Sequence, residues 1–325
     1  MANITGDYPQ IERIDTGLYS LNKALGGGWP MTTVELTGFA GVFKSTFAIS
    51  ILSLVAEHYG KKFLLAPIEP ADREQLNSIL DSMGFTGETH IITEQTDEEM
   101  VDKFCELLGQ DDYASGLFDS LTAISPIMEM ESSSADMNMG RRARLSGVLA
   151  RKLIHLNRFR TSPVTSILIS HVTQSLSMTP TNTGSSTSGG EVKKNLSKVR
   201  IKAKVVPEPT MRDLEENAIV MEGFVEKYNF GRDKMKFQVV VLGGKGIHRG
   251  LSAMYDCKTL KLASFGKSIT MNGVKYGSMR TIVAKAHAGE DDFFQPFIEA
   301  LKDPSKITKV VAEKEDENEV WEGDE

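Results

Sequence analysis

At 325 residues, 40% hydrophobic and 25% charged, the chain can form one large α/β domain with additions, or two domains, and is too apolar for a disordered protein. Its two cysteines, Cys105 and Cys257, have no metal or redox spacing, which excludes a disulfide scaffold and points to inert thiols in a reducing cytoplasm. The formal charge of −7 sits at one end: residues 311–325 hold eight acids and one base, leaving 36 of each sign in residues 1–310, so the acidic total does not exclude a nucleic-acid partner. The N-terminus has neither the basic flank nor the apolar stretch of a signal peptide, and no run approaches a membrane span, so no membrane role is expected.

In chain order, Leu18, Leu21, Ala24 and Leu25 make a short helical pattern that begins at Asp15-Thr16-Gly17 and ends at Gly26-Gly27-Gly28. Val34-Glu35-Leu36-Thr37 reads as a strand and Ser45 to His58 as a long apolar helix. Phe63-Leu64-Leu65-Ala66 is a buried strand, left through Pro67-Ile68-Glu69-Pro70. Residues 72–83 are helical and His90-Ile91-Ile92 is a short strand. Thr96 to Leu108 is a helix with Asp97-Glu98-Glu99 in its first turn, where the helix dipole favours acids. Gly116 to Ser120 is a strand ending in an acid, 139–160 a long basic helix, and Ser166 to His171 a strand running into an exposed polar loop. This alternation predicts an α/β fold with a mainly parallel central sheet covered by helices on both faces.

Residues 173–191 are rich in Ser, Thr and Gly, a composition that cannot bury enough surface to order itself. A loop of that length in a compact domain is usually functional or a disordered insertion. Lys193, Lys194, Lys198, Arg200, Lys202 and Lys204 follow it. Strands recur near 218–227, 236–243 and 252–256, then a Met271-Asn272-Gly273-Val274 hairpin and a helix near 291–302. The expected organisation is a short N-terminal arm (1–14), a core (15–265) with loops near 126–143 and 172–192, a small C-terminal α/β unit (266–302) and an acidic disordered tail (303–325).

The most informative stretch is Gly38-Phe39-Ala40-Gly41-Val42-Phe43-Lys44-Ser45-Thr46, a glycine-rich turn between strand and helix. In such a turn successive backbone N–H groups face a concavity at a helix N-terminus, where the dipole favours anions. Lys44 can reach the outer phosphates of a nucleotide and the Ser45 hydroxyl can hold Mg²⁺. The common pattern has glycine where Phe43 stands; phenylalanine fits if its dihedrals are helical and its ring points away from the ligand. Three strand ends add polar groups where such sheets bind ligands: Asp119 for Mg²⁺, Glu69 to orient or deprotonate water, and His171 to touch a γ-phosphate. Singly, such an acid is more often an N-cap or surface charge, and such a histidine more often a packed side chain.

Together these residues resemble the RecA family of strand-exchange recombinases, most closely its phage UvsX-type branch, from residue 15 to about 265. Thr16 to Gly28 is similar to the family's opening segment, and Phe43-Lys44-Ser45 to the UvsX-type P-loop, which also carries Phe. Glu69 falls at the place of the family's catalytic glutamate and Asp119-Ser120 at its Mg²⁺-side pair. Met139-Gly140-Arg141-Arg142-Ala143-Arg144 through Arg151 resembles the first DNA loop and its helix, and Gly189-Gly190 the close of the second. Ile169-Ser170-His171 is similar to the UvsX-type Ile-Asn-His, and Val225-Glu226-Lys227 to the segment that reaches a neighbouring subunit's ATP.

The resemblance implies an α/β RecA-like P-loop ATPase core and ATP with Mg²⁺ held between subunits of a helical homo-oligomer. It implies filaments on single-stranded DNA that pair with homologous duplex DNA, a single-strand-binding or loading protein as a further partner, and a bacterial cytoplasm during phage infection. Arg144, Arg151, Lys193, Lys194 and Lys198 would neutralise DNA phosphates, and Met139 would wedge against bases or fill a core gap. The N-terminal arm is shorter than the family's usual helix and strand, and Ala66-Pro67-Ile68 stands where an acid is more usual. The alternatives are a RecA-like DNA-binding or scaffolding filament with weak or no hydrolysis, and a hexameric helicase motor. The acidic tail reads either as a solubilising end or as a competitor for the basic loops or a partner's docking segment.

Overall fold

The alternating patterns assemble around one sheet. In the computed structural model, which describes residues 11–68, 72–126, 139–174, 185–187, 197–207 and 218–302, the order begins with β1 (Arg13–Ile14), α1 (Tyr19–Ala24), β2 (Trp29–Pro30), β3 (Thr33–Gly38) and α2 (Lys44–Tyr59). There follow β4 (Lys62–Pro67), α3 (Arg73–Ser82), β5 (Thr89–Ile91), α4 (Asp97–Leu108), β6 (Tyr113–Asp119), α5 (Met139–Phe159) and β7 (Thr165–Gln174). Then come β8 (Ser185–Thr187), β9 (Val199–Val206), β10 (Ala218–Tyr228), β11 (Lys236–Leu242), β12 (Gly246–Ile247) and α6 (Arg249–Thr259). The described chain ends with β13 (Ala263–Phe265), β14 (Ile269–Met271), β15 (Val274–Gly277), α7 (Met279–His287) and, after a 3₁₀ turn, α8 (Gln295–Lys302).

The main sheet runs β12-β11-β10-β9-β3-β7-β6-β4-β5, with β8 paired to β7. From β9 to β5 all neighbours are parallel, while β10, β11 and β12 add antiparallel strands at one edge. One face is sealed by α2 and α3 through Phe47, Ile51, Leu52, Leu76 and Ile79, packed on Val34, Leu36, Ile167, Ile169 and Ile201. The other is covered beside β4, β6 and β7 by α4 and α5 through Val101, Phe104, Leu149 and Leu153. Helices on both faces of a mainly parallel sheet match the sequence expectation.

Local chemistry sets the helix ends. Asp72 accepts from the N–H groups of Glu74 and Gln75 at 2.9 and 3.3 Å, and Thr96 Oγ1 from Glu99 N–H at 3.2 Å. α2 stops at Gly60, whose φ of 60° lets Lys61 N–H reach the Ala56 carbonyl at 3.0 Å. The expected hairpin forms with φ of 51° at Asn272 and 79° at Gly273, the positive pair a tight two-residue turn requires.

Three expectations are corrected. The strand expected near 252–256 is inside α6: Gly250 through Cys257 are all buried, and the polar Ser252 and Asp256, four apart on one helical face, accept from Val240 N–H at 2.9 Å and Ser20 N–H at 3.1 Å. His248, accepting from Leu251 N–H at 3.1 Å, caps that helix. The unassigned stretch after residue 278 is α7, started by Ser278 and buried through Ile282, Val283 and Ala286. Within the polar stretch 173–191, β7 continues to Gln174 and β8 pairs with it, Val172 facing Thr187; backbone ladder bonds supply what side-chain burial cannot. A further core joins α6, α7 and α8 to Ala218, Val220, Val240 and Leu242 on β10 and β11.

Candidate functional site

The P-loop lies where the fold predicts a ligand, at the carboxyl end of β3 beside the ends of β6 and β7. Two glycines are required there. A Cβ at Gly38 would stand 2.6 Å from the Ala203 carbonyl oxygen of β9, and Gly41 has φ of 74°. Phe43 has φ 53° and ψ 35°, so it is left-handed rather than helical as the sequence reading required. It occupies the glycine's conformation itself, and its partly buried ring packs against the core cluster that includes Phe47 and Ile51.

The functional side chains converge. Lys44 Nζ donates to the Phe39 carbonyl at 2.6 Å and lies 3.3 Å from His171 Nδ1. Burial pulls the Lys44 ammonium below its usual pKa, and Asp119 partly offsets this. Ser45 Oγ donates to Asp119 Oδ2 at 2.5 Å, closing the space between the start of α2 and the end of β6. Thr46 is buried in the first turn of α2.

Sequence reasoning missed one neighbour, Thr122, and named Ser120 only as the partner of Asp119. Thr122 Oγ1 accepts from His171 N–H at 2.8 Å, fixing the end of β7 to the turn after β6. Ser120, beside Asp119 across a cis peptide bond, has a buried hydroxyl with no hydrogen-bond partner among the described residues. The one available signal was the polar run Asp119-Ser120-Leu121-Thr122 directly after a strand.

The donor set suits Mg²⁺. A hydroxyl, a carboxylate and an orphaned buried hydroxyl offer hard oxygen atoms. No group of three or more His, Cys, Asp or Glu among the described residues could hold a metal, so the other ligands would be phosphate and water, as that ion prefers. A separate groove of ≈ 670 Å³, lined by Cys105, Lys152, His155, Phe159 and Arg160, lies toward the start of β6, the end remote from Asp119.

Residues 3–226 match the RecA N-terminal domain family. The chain belongs to the RecA family. It is 25% identical over 313 residues to Protein RecA of Prochlorococcus marinus, covering 94% of this chain and 76% of that one. Against Protein RecA of Synechococcus it is 26% identical over 246 residues, covering 73% and 61%, and against that of Thermus thermophilus 25% over 290, covering 88% and 82%. Among solved structures, a KaiC-like protein of Pyrococcus horikoshii aligns with a TM-score of 0.51 and 19% identity, over 73% of this chain and 98% of that one. That likeness shows the fold, a RecA/KaiC-like P-loop ATPase core.

The other candidates from the RecA resemblance are spread more widely. Arg144 and Arg151 are exposed on α5, seven residues apart and so on one face. Met139 opens that helix and Arg141 lies in its first turn, their side chains outside the described set. Lys198 Nζ sits over the Phe230 ring, 5.6 Å from its centroid. Lys227 faces Arg200 across β10 and β9. Its pKa is lowered by burial and then by Arg200, with Glu35 opposing. Glu69, Gly189, Gly190, Lys193, Lys194 and the acidic tail 303–325 lie outside the described residues. No helix among the described residues is long and apolar enough to cross a membrane.

Proposed function

We propose that this RecA-family chain is a DNA-dependent ATPase that assembles as a filament on single-stranded DNA and promotes homologous pairing. The observation that carries the reading is the meeting of Lys44, Ser45, Asp119 and His171 at the ends of β3, β6 and β7. The Gly38–Gly41 backbone and Lys44 hold the phosphates, and Ser45 and Asp119 hold Mg²⁺, which supplies charge neutralisation between the outer phosphates. Glu69 orients or deprotonates the attacking water, His171 reports the γ-phosphate, and Lys227 acts on the ATP of the adjacent subunit. Arg144, Arg151, Lys193, Lys194 and Lys198 take DNA phosphates, with the glycines 189 and 190 closing the second loop. Phe43-Lys44-Ser45 and His171 favour the UvsX-type branch, and with it a phage setting and a loading partner.

A weakly hydrolysing or non-hydrolysing DNA-binding filament is the second reading. What favours it is Pro67, which pairs with Asp119 and leads directly into the segment of the proposed base. Steady-state ATP hydrolysis with and without single-stranded DNA separates the two. Stimulation by DNA that Glu69→Gln abolishes supports the first; no stimulation, with Glu69→Gln unchanged, supports the second. Electron microscopy with DNA and a non-hydrolysable ATP analogue distinguishes filaments from rings.

A further inference from the structure

The strand that delivers the P-loop also carries a buried carboxylate that the nucleotide chemistry does not use. Glu35 is 1% exposed and lies three residues before Gly38 on β3. Its Oε2 accepts from Arg200 Nε at 2.9 Å and lies 2.8 Å from Nη2 of the same guanidinium. Oε2 also accepts from Ser197 Oγ at 3.2 Å, and Oε1 from Ser170 Oγ at 3.4 Å. Arg200 Nη2 reaches Ser197 Oγ at 3.4 Å, closing the network. Burying a carboxylate this deep is costly unless such partners satisfy it.

The partners share a place in the chain. Ser170 directly precedes His171, the last β7 residue aligned with the P-loop strand, while Ser197 and Arg200 stand at the start of β9. β3 lies between β7 and β9, with Glu35 opposite Arg200 and Gly38 opposite both His171 and Ala203. One side chain on the P-loop strand therefore fixes the strand that ends beside the phosphate site and the strand that follows. An apolar contact could seal this place at no greater cost, since buried ion pairs rarely exceed well-packed hydrophobic groups in stability. An apolar contact is also non-directional. The carboxylate and guanidinium fix register, so a shift of β3 reaches both neighbours.

We infer that Glu35 is a positioning residue that couples nucleotide occupancy at Lys44 to polynucleotide affinity, by tying Ser170 on β7 and Ser197 and Arg200 at β9 to the P-loop strand. This rests on the nucleotide-dependent DNA binding proposed above. Glu35 touches neither ligand, so its loss acts on the dependence of one binding event on the other.

The test is fluorescence anisotropy of a labelled oligo-dT strand, with a non-hydrolysable ATP analogue or ADP, alongside the affinity of fluorescent ADP in the absence of DNA. The variants are Ser170→Ala/Ser197→Ala, which leaves the ion pair in place, and Glu35→Met/Arg200→Met, which replaces the pair by apolar groups that buried sites commonly tolerate. For wild type the ratio of DNA affinities in the two nucleotide states is expected at about 5–150-fold. In both variants that ratio falls toward one, while ADP affinity stays within about 3-fold of wild type, a change of less than ~1 kcal/mol. A variant that melts cooperatively, binds ADP and keeps the wild-type ratio overturns the inference alone. A wild-type protein whose DNA affinity ignores the nucleotide overturns the proposed function, and this inference with it.

Discussion

Lys44 Nζ lies 3.3 Å from Nδ1 of His171 while donating to the carbonyl of Phe39 at 2.6 Å. An ammonium can only donate, so in this pair Nδ1 is the acceptor. Under the proposed function, a phosphate in the loop would compete for the same ammonium and release His171. Lys44→Ala should therefore weaken nucleotide binding by about 10–100-fold, the loss of one charge-assisted contact of about 1.5–3 kcal/mol. His171→Ala should leave nucleotide affinity within a few-fold and flatten the difference in DNA affinity between ATP-analogue and ADP states. Titrations with a fluorescent nucleotide and with labelled single-stranded DNA measure both; equal losses of nucleotide affinity in the two variants would refute the division of labour.

Phe43 separates strain from packing. Its left-handed backbone is unfavourable for any residue with a Cβ, whereas its ring gains contact with the core under α2. Phe43→Ala loses the ring and keeps the strain; Phe43→Gly loses the ring and relieves it. The glycine variant should be more stable than the alanine variant by about 1 kcal/mol. Urea midpoints decide, and an alanine variant at least as stable as the glycine variant would remove the argument.

Asp256 on α6 accepts from the Ser20 N–H of α1 at 3.1 Å, and burial raises its pKa to about 6. The folded value lies above the unfolded one, so this contribution to stability is complete below about pH 4 and is lost as pH rises through about 6. Asp256→Asn keeps an acceptor for Ser20 and carries no charge. It should exceed wild type by up to about 2–3 kcal/mol at pH 8 and match it at pH 4. Thermal melts across that range check the sign, and a wild type that gains stability from pH 4 to 8 relative to the variant would contradict it.

Both cysteines are held protonated. Burial pushes Cys105 and Cys257 up to about 12. At pH 8 the thiolate fraction is then on the order of 10⁻⁴, and alkylation should be slow until the protein unfolds. Mass spectrometry after a timed iodoacetamide pulse, native and in urea, tests this. Rapid native labelling of Cys257, which is fully buried and donates to the Phe297 carbonyl at 3.5 Å, would show that α6 opens readily.

What the sequence could specify was local. Glycines around Lys44, the acids Asp97 to Glu99 at a helix start, the Asn272-Gly273 turn and the alternation of strand and helix patterns each depend on residues a few positions apart. Such signals act through backbone dihedrals and side-chain periodicity, so they survive without knowledge of the fold. At Gly250 to Cys257 the reading failed, because the polar Ser252 and Asp256 are buried against partners on β11 and α1 that only the fold supplies. The rest needed the sheet. Ser45 meets Asp119 from 74 positions away and Glu35 meets Arg200 from 165, because strand order and register bring those positions together. Sequence alone named the glycine-rich turn at Gly38 to Thr46; only the tertiary structure chose its partners, since a contact between distant residues is set by which strands become neighbours and in what register.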